Sequence, residues 1–207
     1  MTASSSSTRE LPLFPLQSVL FPDGLLSLKV FEARYLDLIG TCMREQRPFG
    51  VVALKRGQEV KRAGDAVELE TIGCQAELID VDSPQSGILQ VRCRGTVRFE
   101  THASRQQPNG LWVGDVSDLP GDEAVLPTEE LVGTAKGLAN AIAALKRQGV
   151  VHILEPYRFE SAGWVANRWC ELLPISITAK QKLMELPDPL VRLKLVDEFL
   201  RSKGVVT

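Results

Sequence analysis

Near the middle of this 207-residue chain the spacing of apolar residues changes and does not change back. Before the run LPGDEAVLP, residues 119–127, most segments alternate apolar with polar side chains; after it, apolar residues recur at three- and four-residue steps. A period of two belongs to a strand with one buried face, and a period near 3.6 to an amphipathic helix. Strands first and helices last, in separate runs, predict an α+β fold and argue against a doubly wound parallel sheet. The same break divides the chain into a disordered polar tail over residues 1–8, a β-rich part over 9–120 and a helical part over 121–204.

Within the first part, the run from Leu11 to Val30 is punctuated by Pro12, Pro15, Pro22 and the Asp23-Gly24 pair. Proline cannot donate to a ladder, so these are short strands near a sheet edge with a tight turn at 22–24. From Phe31 to Gln46 the period switches. Phe31, Tyr35, Leu38, Ile39, Cys42 and Met43 mark one stripe of a helix packed on the sheet and stopped before Pro48. Extended patterns resume in FGVVAL, VELETIGCQAELIDV, ILQVRCRG, TVRFETHA and LWVGDV, with turns at 64–65, 82–87 and 107–110. Val91 and Cys93 alternate with Arg92 and Arg94, and Val97, Phe99 and Thr101 with Arg98, Glu100 and His102. The expected result is a curled antiparallel sheet or small open barrel carrying one helix.

In the second part, Leu131, Ala135, Leu138, Ile142 and Leu145 mark a helix ended by Gly149, and residues 164–172 a second before Pro174. Thr178 with Gln181 reads as a capping box, and Asp188 followed by Pro189 as an N-cap with a first-turn proline for the last helix.

Charge excludes several classes. Lys plus Arg total 24 against 26 Asp plus Glu, so the chain is not a basic polyanion-binding module. No apolar run is long enough to span a bilayer and the polar first eight residues cannot serve as a secretory signal, which predicts a cytoplasmic protein. Cys42, Cys74, Cys93 and Cys170 follow no zinc or redox spacing and are expected as small buried hydrophobes. No metal and no cofactor are expected, and no catalytic constellation is recognised. The two histidines stand without a motif: His102 on the polar face of a strand, His152 at a junction after Gly149. Glu68 and Glu70 share a strand face that reads as solvated.

Two candidate surfaces remain. Tyr157, Phe159 and Trp164 cluster in EPYRFESAGW, where Trp164 either caps the helical core or anchors a polypeptide partner. Arg92, Arg94 and Arg98 are read as a basic stripe on one strand face, an alternative site for nucleic-acid phosphates. A small hydrolase is a third class, requiring a nucleophile in contact with a base.

The run ELPLFPLQSVLFPDGLLSLKVFEARYLDLI, residues 10–39, resembles the opening of the substrate-binding amino-terminal domain of Lon proteases. The resemblance continues through the strand at 49–54, Gly73-Cys74 to Asp80, Arg94-Gly95 with Arg98-Phe99 in a hairpin, Lys180 to Leu183, and Asp188 to Leu193. It implies a β-rich subdomain similar to PUA-like folds, which often bind RNA, followed by a helical bundle, and a role in capturing unfolded or extended polypeptide or docking a partner protein. None of the 16 glycines is followed by lysine, so the Gly-Lys step of a P-loop is absent. The expectation is a stand-alone binding module without the ATPase and protease domains.

Overall fold

The computed structural model describes residues 8–56, 67–150 and 153–206. Residues 1–7 of the tail expected over 1–8, the turn at 64–65 and His152 lie outside the described residues. The chain divides into two compact units, one ending at Pro120 and the other beginning at Gly121.

The first unit is β1 (Arg9–Leu16), β2 (Leu25–Val30), α1 (Ala33–Glu45), β3 (Phe49–Arg56), β4 (Glu68–Leu69), β5 (Ile72–Gln85), β6 (Ile88–Gln106) and β7 (Trp112–Asp118). The mixed α+β class holds, and the curled sheet closes. Strands run β1-β7-β6-β5-β3, and a parallel pairing of β1 with β3 joins the ends into a five-stranded ring. This corrects the expectation of edge strands at the amino terminus. β1 pairs with β7 over Arg9–Leu13 and with β3 over Leu13–Leu16. Each proline therefore has a ladder on one side alone: Pro12 opposite Val113, Pro15 opposite Val52. A residue without an N–H is tolerated inside the ring because the ladder changes sides between the two.

Alternation along β1 separates two cores. Leu11 and Leu13 join Val52, Phe99 and Val116 inside the ring, whereas Phe14 and Leu16 face a larger cluster with Tyr35, Leu38, Ile39 and Cys42 of α1. Phe99 fills the ring because Gly50 and Gly73 leave its walls bare; a Cβ at either would lie within 2.7 Å of the Phe99 ring. Helix α1 ends as Gln46 enters the left-handed region at φ 51°, two residues before Pro48. Phe14 stacks on Tyr35 at 3.9 Å. Phe31 and Met43, expected on the buried stripe, are 54% and 53% exposed, so the apolar face of α1 is narrower than its pattern suggested.

The segments ILQVRCRG and TVRFETHA form one strand, β6, not two. It bends at Gly95, whose carbonyl accepts from Asp23 N at 2.7 Å and whose N–H donates to Gly24 at 2.9 Å. The turn of the β1–β2 connection thus docks on the strand. A Cβ at Gly95 would lie 2.1 Å from the Phe21 carbonyl oxygen.

The second unit contains a 3-10 turn (Glu129–Leu131), α2 (Val132–Arg147), α3 (Ala162–Leu172), α4 (Ile177–Glu185) and α5 (Pro189–Ser202). Asp188 caps α5 as expected, its Oδ1 accepting from Leu190 N at 2.8 Å and Val191 N at 3.1 Å. The expected capping box does not form. Ser176, not Thr178, caps α4 by accepting from Ala179 N at 3.1 Å, and Gln181 is buried. The first residues after the boundary are extended and anchored within this unit: Ala162 N donates to the Val125 carbonyl, and Asp122 pairs with Arg192.

Candidate functional site: an open strand edge beside an apolar groove

Strand β5 is paired on both sides for only part of its length. β3 runs beside it from Cys74 to Ala76 and then ends, because Phe49 opposite Ala76 is the first residue of β3. β6 continues alongside from Glu77 to Gln85. From Glu77 to Asp82 the other edge of β5 has no strand partner among the described residues. Its outward N–H and C=O groups form a template for a further strand.

A groove of about 480 Å³ borders this edge, lined by Cys42, Met43, Gln46 and Arg47 of the end of α1 and by residues 77–81 of β5. Its apolar character has a local cause. Between Leu78 and Asp80 the register with β6 slips, Leu78 facing Cys93 and Asp80 facing Arg92, so Ile79 is the extra residue of a β-bulge. A bulge re-aims its side chain. Ile79 is 46% exposed and, with the somewhat more exposed Met43, gives the groove two large apolar groups facing solvent. Leu78 and Val81 pack against the cluster beneath α1. Arg47 at the rim is paired with Glu45 at 2.9 Å.

The aromatic cluster expected near residue 160 does assemble, with Phe159 edge-on to Trp164 at 5.4 Å and Tyr157 at 6.1 Å from Trp164. Trp164 itself is 4% exposed and accepts the capping role; its ring is turned into the helical unit, which corrects its reading as a partner anchor. Tyr157 and Phe159 are half-buried, with Lys146 Nζ over the Tyr157 ring at 4.8 Å and paired with Glu155 at 2.8 Å. In the same unit a groove of about 550 Å³ between the 3-10 turn and α5 is lined by Leu131, Leu190 and Val191. It offers side chains alone, since helix interiors satisfy their own backbone.

The arginine stripe does not form. A second register slip, opposite Cys74–Ala76, sets the four residues Gly95–Arg98 of β6 against three of β5, and inverts the alternation. Arg92 and Arg94 lie on the face away from α1, opposite Asp80 and Glu77. Arg98 pairs in register with Cys74 on the opposite face, is 6% exposed and donates to the Pro120 carbonyl at 3.3 Å. Val97, expected inside, is exposed for the same reason.

One contact of the kind a hydrolase would need is present. His102 Nε2 lies 2.8 Å from Ser117 Oγ across the β6–β7 ladder. Both residues stand on extended backbone, and among the described residues no carboxylate is bonded to the second ring nitrogen, so nothing orients the imidazole as a general base. Glu68 is exposed and paired with Lys55 at 2.9 Å, as befits a solvated face. Among the described residues no cluster of His, Cys, Asp or Glu could hold a metal, and no helix is long and apolar enough to cross a membrane. All four cysteines are buried and none forms a disulfide among the described residues, and burial pushes the thiols of Cys93 and Cys170 up to about 12 and that of Cys42 to about 11.

The family profile of the ATP-dependent protease La (LON) substrate-binding domain matches residues 10–202, across both units. The chain belongs to the Lon substrate-binding domain family. Lon protease 2 of Myxococcus xanthus is 28% identical over 199 residues, covering 93% of this chain and 24% of the relative. Lon protease of Anaeromyxobacter dehalogenans is 26% identical over 202 residues, covering 93% and 23%. The chain thus spans about a quarter of the length of these Lon proteases. Among solved structures, the Lon N-terminal domain protein from Xanthomonas campestris superposes with a TM-score of 0.71 at 34% identity, over 91% of this chain and 96% of that one. The N-terminal domain of a Mycobacterium avium complex Lon protease shares the fold, with a TM-score of 0.61 at 15% identity over 92% and 97%. In this Lon-type domain the acidic-aromatic helix start is accounted for by packing. Arg34 pairs with Glu32 at 2.7 Å, lies 4.6 Å from the Tyr35 ring and donates to the Gly110 carbonyl at 2.8 Å, tying α1 to the β6–β7 turn.

Proposed function

We propose that this chain is a non-catalytic module that captures extended, unfolded polypeptide segments, which add as a strand to the open edge of β5 and lay side chains into the groove beside α1. The carrying observation is the stretch Glu77–Asp82, which has no second strand partner among the described residues and is bordered by exposed Met43 and Ile79. Main-chain hydrogen bonds along such an edge give affinity for any extended segment, and the apolar groove selects those that expose hydrophobic side chains. Folded proteins expose neither feature in continuous form. Membership of the Lon substrate-binding domain family supports the same role. The half-exposed rings of Tyr157 and Phe159 are a secondary surface for the same class of ligand. An apolar groove at a strand edge does not favour RNA, and Glu77 and Asp80 opposite Arg94 and Arg92 offset the positive charge that phosphates would need.

The test is retention of a permanently unfolded, carboxymethylated protein by the immobilised 207-residue chain, with its native counterpart as control. Met43→Asp together with Ile79→Asp is expected to weaken retention about tenfold or more, since each places a charge where an apolar side chain must dock. Undiminished retention by a variant with native circular dichroism would remove the groove from the site.

A further inference from the structure

The open edge of β5 has two chemically different faces. Leu78 and Val81 are opposite Cys93 and Val91 and face the core beneath α1. Glu77, Asp80 and Asp82 are opposite Arg94, Arg92 and Gln90 and face the other way, where Glu77, Asp80 and Asp82 are all exposed. Across that second face the side chains form a sequence of rows: β2 contributes the uncharged Leu25 and Ser27 opposite Arg94 and Arg92, β6 the arginines, and β5 the acids. The next row, on the open side of the acids, is the one an added strand would occupy.

Resting on the strand-capture reading above, we infer that the segment this edge accepts is amphipathic in a period of two, with apolar residues toward α1 and Lys or Arg at the alternate positions beside Glu77 and Asp80. The stretch Glu77–Asp82 is about 20 Å long at the rise of an extended chain, room for about three side chains on each face of the added strand. Directly opposed Cβ atoms in an antiparallel pair lie about 5 Å apart, and opposite charges in that position stabilise the pairing while like charges oppose it. The arginines of β6 are one strand further from the added row, about 10 Å away, where salt screens them more strongly. The acids therefore dominate what the added strand meets. The bulge at Ile79 fits the same scheme, because it puts Asp80 on the face of Glu77 although two residues, which in a regular strand would place them on opposite faces, lie between them.

Three fluorescein-labelled octapeptides test the inference: alternating Val-Lys, Val-Ser and Val-Glu, titrated with the full chain and read by anisotropy. The Val-Lys peptide is expected to bind at least about threefold more tightly than Val-Ser, and Val-Glu more weakly than Val-Ser, as one or two cross-strand charge pairs would give. The differences should collapse in high salt and in the Glu77→Gln, Asp80→Asn double variant, which leaves the groove and the backbone edge in place. Equal binding of all three peptides to the native chain would overturn the charge preference and leave strand capture standing. An undiminished Lys preference in the double variant would overturn it too, by locating the acids elsewhere. Failure of every peptide to bind would overturn both readings. A Val-Lys peptide N-methylated at alternate residues, which cannot extend the ladder, should lose its affinity.

Discussion

Asp122 holds Arg192 by both terminal nitrogens, Oδ2 accepting from Nη1 at 2.6 Å and Oδ1 from Nη2 at 3.0 Å. The remaining donors of the same guanidinium go to Asn167 Oδ1 at 2.9 Å, the Leu183 carbonyl at 3.0 Å and the Leu186 carbonyl. A side chain only 1% exposed has thus found an acceptor for each of its five donors. The fork ties the first residues of the helical unit to α3 and to both ends of the α4–α5 connection.

Removing one partner of this pair leaves a buried charge without its counterion. Asp122→Ala is expected to destabilise the chain by about 3–5 kcal/mol, and Arg192→Lys by much of that, since an ammonium cannot reproduce the planar fork. Urea denaturation followed by circular dichroism reads both. A loss below about 1 kcal/mol for Asp122→Ala would mean that the pair is not buried in solution.

Gly95→Ala should cost about 1–3 kcal/mol or more, because the new methyl meets the Phe21 carbonyl, which is backbone and cannot rotate away. Gly87→Ala provides the contrast. Nothing lies within 4 Å of its Cβ, and its penalty is set by φ 78° alone. Thermal melts of the two variants should therefore differ in cause: a second-site Phe21→Ala, which keeps the carbonyl, should not rescue Gly95→Ala.

The buried thiols predict a pH dependence with a definite sign. Cys93 and Cys170 ionise near 12 in the folded chain, against an ordinary value of 9.0, because burial disfavours the thiolate. Between these limits the unfolded chain loses protons that the folded chain keeps, so stability is full below about pH 9 and falls as pH rises toward 12. Melting temperatures measured from pH 8 to 11 should decline, less steeply in Cys93→Ala after correction for its lower starting stability. At pH 8 all four cysteines should resist an aromatic disulfide reagent until the chain is unfolded.

Ser117 should not behave as a nucleophile. A fluorophosphonate reagent is expected to leave it unmodified despite the 2.8 Å contact with His102, as judged by intact mass. Stoichiometric modification that disappears in His102→Ala would establish the opposite and turn the β6–β7 ladder into an active site.

What could be read without coordinates follows from how local each cause is. Asp188-Pro189 predicts its helix start because cap and first turn lie within four residues, and the capping bonds form as expected. Ser176 and Thr178 both stand near the start of a helical pattern, and only the geometry shows which hydroxyl meets a free N–H. Arg98 changed faces because a bulge is a property of two strands at once; Gly95 marks a place where one can form, but not which residues of β5 it sets against β6. The open edge was illegible for the same reason in a stronger form. It exists because β3 begins at Phe49, too late to accompany β5 past Ala76, and no window of sequence contains both facts. Trp164 was ambiguous in pattern, lying at the margin of a helical stripe, and burial decided it.

The ring that β1 completes also sets an order of events during synthesis. Its partners are β3, ending at residue 56, and β7, beginning at residue 112, so β1 waits for about a hundred residues to leave the ribosome before both of its sides are covered. Until then the chain displays an apolar strand bearing Leu11, Leu13 and Phe14 with one flank bare. A protein whose proposed task is to recognise unfinished strands is, until its own β7 has been made, an example of one.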